Sequence, residues 1–290
     1  MGAEALVAQL ILNGLVAGSV YTLIGSGMTL ILGVMGVINV AHGAFYMLGG
    51  YVAVVASVAL GLHPLFSVAI AVAAMFLVGT FTQRIAVEPI RTSVDAVLIV
   101  TFGIAYLLEG VALTTFGAAF AAGPPIVPGN FSGFGLYVLA QQAIAAVSSL
   151  GIIGLLWGFL SKTKTGKAIR AVADDREVAM ILGVNVTRSS MISFGVGVAL
   201  VGAAGSLLAS VYPVYPSSGW KALLTAFVVV VLGGMGSLKG SVVAGLLYGL
   251  IESFTEFLLP RFTIVTVLTV LIIIILVRPS GLFGKRIERV

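Results

Sequence analysis

The 290-residue sequence has no cysteine, two histidines and little charge of either sign. Without cysteine there is no disulfide, no thiolate metal site and no thiol nucleophile. His42 and His63 are too few for a histidine-rich metal centre. Charged residues make up 9% of the chain and hydrophobic ones 60%, with a mean hydropathy of +1.20. A soluble domain of this length cannot cover so much apolar surface with so few charges. Lys and Arg are missing from residues 1–83 and total fifteen over the whole chain, against ten acids. They fall in short clusters between apolar runs, which is not the pattern of a nucleic-acid surface. The opening MGAEALVAQL begins with an acid and offers no small-residue cleavage site. It is expected to enter the first span directly rather than to be removed as a signal peptide.

What remains is a chain written for lipid. Apolar runs able to cross a bilayer, at roughly 17–25 residues each, fall near 7–32, 43–61, 65–83, 94–116, 136–160, 190–211, 222–237, 241–259 and 262–278. The expected fold is an all-α polytopic membrane protein of about nine helices, with eight to ten allowed because the run at 222–237 is short. Residues 1–290 read as one transmembrane domain, and the largest polar loop is 161–189.

Basic residues in short loops set the orientation. Arg84 and Arg91, the cluster Lys162 to Arg188, Lys239 and the tail Arg278 to Arg289 share one face under a nine-span model. Lys221 and Arg261 alone fall opposite. The basic face is read as cytoplasmic, which places the N-terminus outside and the C-terminus inside. On the outer face, residues 121–135 and 212–220 carry the Pro, Gly, Ser and aromatic content of ordered surface loops.

Glycine is abundant, at 37 residues. Gly14 with Gly18, Gly154 with Gly158, and Gly245 with Gly249 have the four-residue spacing that lets helix backbones approach closely in lipid. A different use is visible in LGVMGVINVAHGAFYMLGGY at 32–51, where glycines, Asn39 and His42 interrupt an apolar run. VVLGGMGSLKGSVVAGLLYGLIE from Val230 repeats its outline. Interrupted segments at matching positions in two halves point to a transport site, and here they suggest a parallel internal repeat.

Within 161–189, DDREVAMILG reads as a short helix. Asp174 or Asp175 is its N-cap, Glu177 lies in the first turn, and Gly183 is its stop. Val178, Ile181 and Leu182 form an apolar stripe at helical spacing. Two readings fit: docking into a groove on a cytoplasmic partner, or lying flat on anionic lipid.

Three stretches, with the terminal RPSGLFG, resemble the permease subunits of branched-chain amino acid ABC importers of the LivH type. They are GLVAGSVYTLIGSGMTLILGVMGVINVAHGAFYMLGGY, TGKAIRAVADDREVAMILGVNV and KALLTAFVVVVLGGMGSLKGSVVAGLLYGLIES. The likeness runs nearly end to end. It implies a second, LivM-like permease, two cytoplasmic ATPases holding ATP and Mg, and an extracytoplasmic solute-binding protein, with no cofactor on this chain. It also implies that the 166–185 loop couples to an ATPase through Arg170, Asp174, Asp175, Glu177, Val178, Ile181, Leu182 and Gly183. The break from Gly33 to Gly43 would border the translocation pathway, with Asn39, His42 and Gly43 there. One position departs from the pattern: Ala44 stands where members often carry an acid.

The residues supply no chemistry of their own. TKTGKAIR lacks the first glycine and the final Ser/Thr of a phosphate-binding loop. Among carboxylates in the spans, Glu109 is the deepest and joins the pathway candidates, either there or bonded to a neighbouring helix. Glu252 and Glu256 are expected to face solvent near the outer end. An ion-coupled carrier using Glu109 and His42 is the alternative to an ATP-driven permease, and an intramembrane enzyme lacks any paired catalytic set. Single cysteines at Ser132 and Ser280 should react with an impermeant reagent from outside and from inside, respectively. Labelling of both from one side would overturn the orientation.

Overall fold

A computed structural model describes residues 3–133 and 135–284. Lys285, Arg286 and Arg289 of the basic tail lie outside the described residues. The apolar runs become α1 (Ala3–Met35), α2 (His42–Val54), α3 (Pro64–Thr82), α4 (Val94–Phe116) and α5 (Ala140–Lys162). After the polar α6 (Lys164–Asp174) and α7 (Arg176–Ile181) come α8 (Val186–Leu208), α9 (Gly219–Gly233), α10 (Leu238–Leu258) and α11 (Thr263–Val277). Among the described residues, eight helical segments are long and apolar enough to cross a membrane, and α9 is the shorter ninth. That matches the expected all-α fold of about nine spans.

Local chemistry sets the ends. Pro64 starts α3 behind His63, whose Nδ1 accepts from the Leu65 amide, so this histidine is a cap in a turn. Ser93, Asn185 and Ser237 cap α4, α8 and α10 by accepting an amide proton from the third residue on, the usual N-cap arrangement. One feature lies outside the all-α reading. Asn130–Gly133 and Leu136–Leu139 pair as a small antiparallel hairpin, and the Gln9 side chain bonds both the N–H and C=O of Tyr137 to tie it to α1.

Glycine decides how the helices meet. A Cβ on Gly14 or Gly18 would lie 2.8 Å from the Cα of Leu250 or Leu246, and one on Gly245 would lie 2.8 Å from the Thr22 amide. The four-residue pairs of α1 and α10 therefore face each other, backbone to backbone. Gly154 and Gly158 of α5, with the same spacing, have nothing within reach. Their spacing marks no contact within this chain.

The two interrupted segments lie against each other. Gly36 and Gly236 both adopt a left-handed φ, at 70° and 81°, and Gly236 lies against Gly33. Helix α1 packs on α10, and α2 packs on α9. Helices α1 and α8 are the most buried spans, whereas α3, α4, α5 and α11 turn wide apolar faces outward.

If the α1–α10 seam holds the bundle, Gly18→Leu should force the helices apart at a cost of about 1–3 kcal/mol or more. The thermal midpoint in detergent should fall, whereas Gly154→Leu should leave it unchanged. Equal effects would show that close approach at the seam is not required.

Candidate functional site

The break after α1 is deeper than its position in the sequence suggests. His42 Nε2 lies 3.0 Å from the Ile24 carbonyl, eleven residues before the end of α1 at Met35. At a rise of about 1.5 Å per residue, this is about 16 Å up the helix. Residues 36–41 therefore climb back into the protein, and α2 starts inside the span. The released backbone is satisfied locally. The Ala41 amide donates to Asn39 Oδ1, the His42 amide to the Asn39 carbonyl, and the Val40 amide to Thr101 Oγ1. Asn39 and His42 are wholly buried.

Helix α9 also starts inside. Its 15 residues reach about 22 Å, short of the roughly 30 Å of hydrocarbon, because Gly219 begins beside Gly43. A Cβ on Gly219 would lie 2.6 Å from the Gly43 carbonyl oxygen. Surface placement of Gly219 and Trp220 is thus corrected: only the segment up to Ser218 is loop, held where Val214 and Ala121 exchange backbone hydrogen bonds. Trp220 Nε1 donates to Glu109 Oε2 at 3.0 Å. Val40, Gly43, Ala44, Ala105, Glu109 and Trp220 are among the residues enclosing a small recess where the two helix starts meet. Gly43 and Glu109 come together there. Asn39 and His42 are set into the helix packing instead.

Glu252 differs from expectation. It is 7% exposed, ion-paired to Lys221 at 3.2 Å and hydrogen-bonded by the Tyr21 hydroxyl, whereas Glu256 is exposed. The partners come from α1 and α9, and a carboxylate at such depth is retained because they neutralise and bond it. The signal available in the sequence was Lys221 itself, one of two basic residues on the wrong face. Trp220 and Lys221 are the functional candidates that sequence reasoning passed over.

At the basic end, α6 folds back on α5 through Gly166, where a Cβ would meet the Leu160 backbone at 2.5 Å. Arg170 is exposed on α6, and Asp174 is its last residue. Of the two aspartates considered, Asp175 is the N-cap of α7, accepting from the Glu177 and Val178 amides at 2.9 and 3.0 Å. Gly183 stops the helix with φ 80°. Ala179 is buried beneath α7, while Val178, Ile181 and Leu182 point away, the last two 84% and 75% exposed. The platform is braced by Glu88, which takes hydrogen bonds from Gln83 and Thr187 and pairs with Arg91 at 2.9 Å.

The profile described as branched-chain amino acid transport system / permease component matches residues 10–277. The high-affinity branched-chain amino acid transport system permease protein BraD of Pseudomonas aeruginosa is 33% identical, with 97% of each chain covered. The corresponding LivH of Escherichia coli K12 is 32% identical over the same shares. Among solved structures, PsaBC from Streptococcus pneumoniae in complex with Fab superposes with a TM-score of 0.53 over 97% of each chain. At 15% identity it speaks for the fold alone.

If His42 fastens the start of α2 to α1, His42→Ala should remove that bond and leave a cavity, costing about 2–3 kcal/mol. The thermal midpoint in detergent should drop accordingly. An unchanged midpoint would show that the break does not need this anchor.

Proposed function

The chain belongs to the family of permease components of branched-chain amino acid transport systems, matched over residues 10–277, and we propose that it is a membrane subunit of an ATP-driven importer of such amino acids. In this reading it pairs with a second, LivM-like permease, receives solute from an extracytoplasmic binding protein and is driven by two cytoplasmic ATPases that hold ATP and Mg. The N-terminus lies outside and the C-terminus inside, because thirteen of the fifteen Lys and Arg then face the cytoplasm.

The observation that carries the coupling role is the exposed stripe of α7. Val178, Ile181 and Leu182 stand clear of their own chain on a helix fixed at both ends by Asp175 and Gly183. Such a face suits insertion into an apolar groove. Arg170, Asp174 and Glu177 supply a charged rim. Pathway contact is assigned to Gly43 and Glu109 at the recess, with Asn39 and His42 holding the break that shapes it. An ion-coupled carrier finds less support. His42 bonds a backbone carbonyl and Glu109 an indole, so the two do not form a proton relay.

Reconstitution of the full set of subunits in vesicles tests this reading. Labelled leucine should enter only with ATP and the binding protein, and uptake driven by an ion gradient alone would overturn the assignment. Ile181→Asp places a carboxylate in the docking groove, a cost of several kcal/mol if unpaired. It should abolish ATPase co-purification and uptake while permease pairing persists. Asp175→Ala, costing about 1 kcal/mol of capping, should act more mildly. Normal uptake by Ile181→Asp would move α7 to the lipid surface.

A further inference from the structure

The open face formed by α4 and the first turn of α9 carries one group unsuited to lipid. Glu109 lies seven residues before the end of α4, about 10 Å inside by helix rise. A carboxylate at that depth is tolerated only with partners or a polar pathway. Its hydrogen bond among the described residues comes from Trp220 Nε1 to Oε2. The starts of α2 and α9 converge beside it at Gly43 and Gly219. The second carboxylate oxygen, Oε1, keeps its accepting capacity.

Size narrows what that oxygen takes. The recess holds about 10 Å³, room for roughly one water-sized group. An ammonium group is among the small groups that fit there, with the rest of an amino acid left outside. Outside stand three rings. Phe102 and Tyr106 have centroids 4.9 Å apart, and Trp220 lies 5.5 Å from Tyr106 and 6.2 Å from Phe102. Phe102 and Tyr106 are about half exposed. Aromatic faces attract ammonium ions, and their area also receives aliphatic groups.

We propose that Glu109 Oε1 and the Trp220 ring form a subsite for the α-ammonium group of the amino acid in transit, with Phe102 and Tyr106 receiving its aliphatic body. The proposal rests on the transport reading above and assigns one group of the solute to one place in the chain.

The test uses vesicles holding the complete transporter, with binding protein, ATP and labelled leucine. Two fragments of leucine serve as inhibitors: 3-methylbutylamine, which keeps the ammonium and lacks the carboxylate, and 4-methylpentanoate, which does the reverse. The amine should inhibit wild-type uptake at a concentration at least about tenfold below that of the acid, the factor expected for one charge-assisted hydrogen bond. Glu109→Gln should lower uptake at saturating leucine by about the same factor and remove inhibition by the amine, and Glu109→Asp should restore part of both. Equal inhibition by the two fragments overturns the proposal. So does normal, amine-sensitive uptake by Glu109→Gln. If that variant fails to assemble, the response of Glu109→Asp to the two inhibitors decides in its place, and sensitivities equal to the wild type overturn the proposal. Absence of ATP-driven leucine uptake in the wild type would instead remove the transport reading.

Discussion

In hydrocarbon a backbone N–H or C=O freed from a helix meets no water, and this constraint organises the chain. Every interruption of a span has to be satisfied by protein. The turn between α1 and α2 meets the demand with Asn39, which accepts from one amide by its side chain and from another by its carbonyl, and with Thr101 of a neighbouring span. The loop before α9 meets it with paired backbone hydrogen bonds between Val214 and Ala121. Once these partners are in place, two helices can begin at depth. A small recess that holds the Glu109 carboxylate then exists between their starts.

The same constraint explains why so much glycine is needed. Partners must come close enough to bond, and a Cβ at Gly14, Gly18, Gly43 or Gly245 would hold the backbones apart. Close approach also lets dispersion, which is short-ranged, replace the hydrophobic drive that lipid does not provide. Glu252 shows the outcome for charge. Tyr21 and Lys221 reach it from helices separated widely in sequence, and the cluster closes only when α1, α9 and α10 pack together.

Much of this was legible in the sequence because helix ends are local events. Asp175 and Gly183 mark the bounds of α7 through side-chain capping and a left-handed φ, which need no knowledge of the rest of the chain. The spans were legible because length and hydropathy are local too. Depth was not. Hydropathy counts residues along the chain and gives no height in the membrane, so the inner starts of α2 and α9, and with them the place of Trp220, lay beyond it. Glu252 was misplaced for the same reason, since nothing adjacent to it names Tyr21. The glycine pairs illustrate the limit from the other side. Identical spacing packs tightly at Gly14 and Gly18 and faces open space at Gly154 and Gly158.

Helix α8 follows α7 after only four residues, 182–185, and α7 rests its Ala179 side chain against the protein. At two points α8 meets α2 through main chain, where Gly202 touches Gly49 and Gly205 touches the Tyr46 carbonyl, while nearer its start Phe194 packs edge-on against Phe45. Bulky side chains that interlock act as teeth and resist displacement along the helix axis. A smooth contact of bare main chain withstands separation but offers little friction to sliding, the shear mode available to packed helices. A displacement of α7 would therefore meet both kinds of contact along α8, free to slide past α2 at its glycines and held where Phe194 meets Phe45.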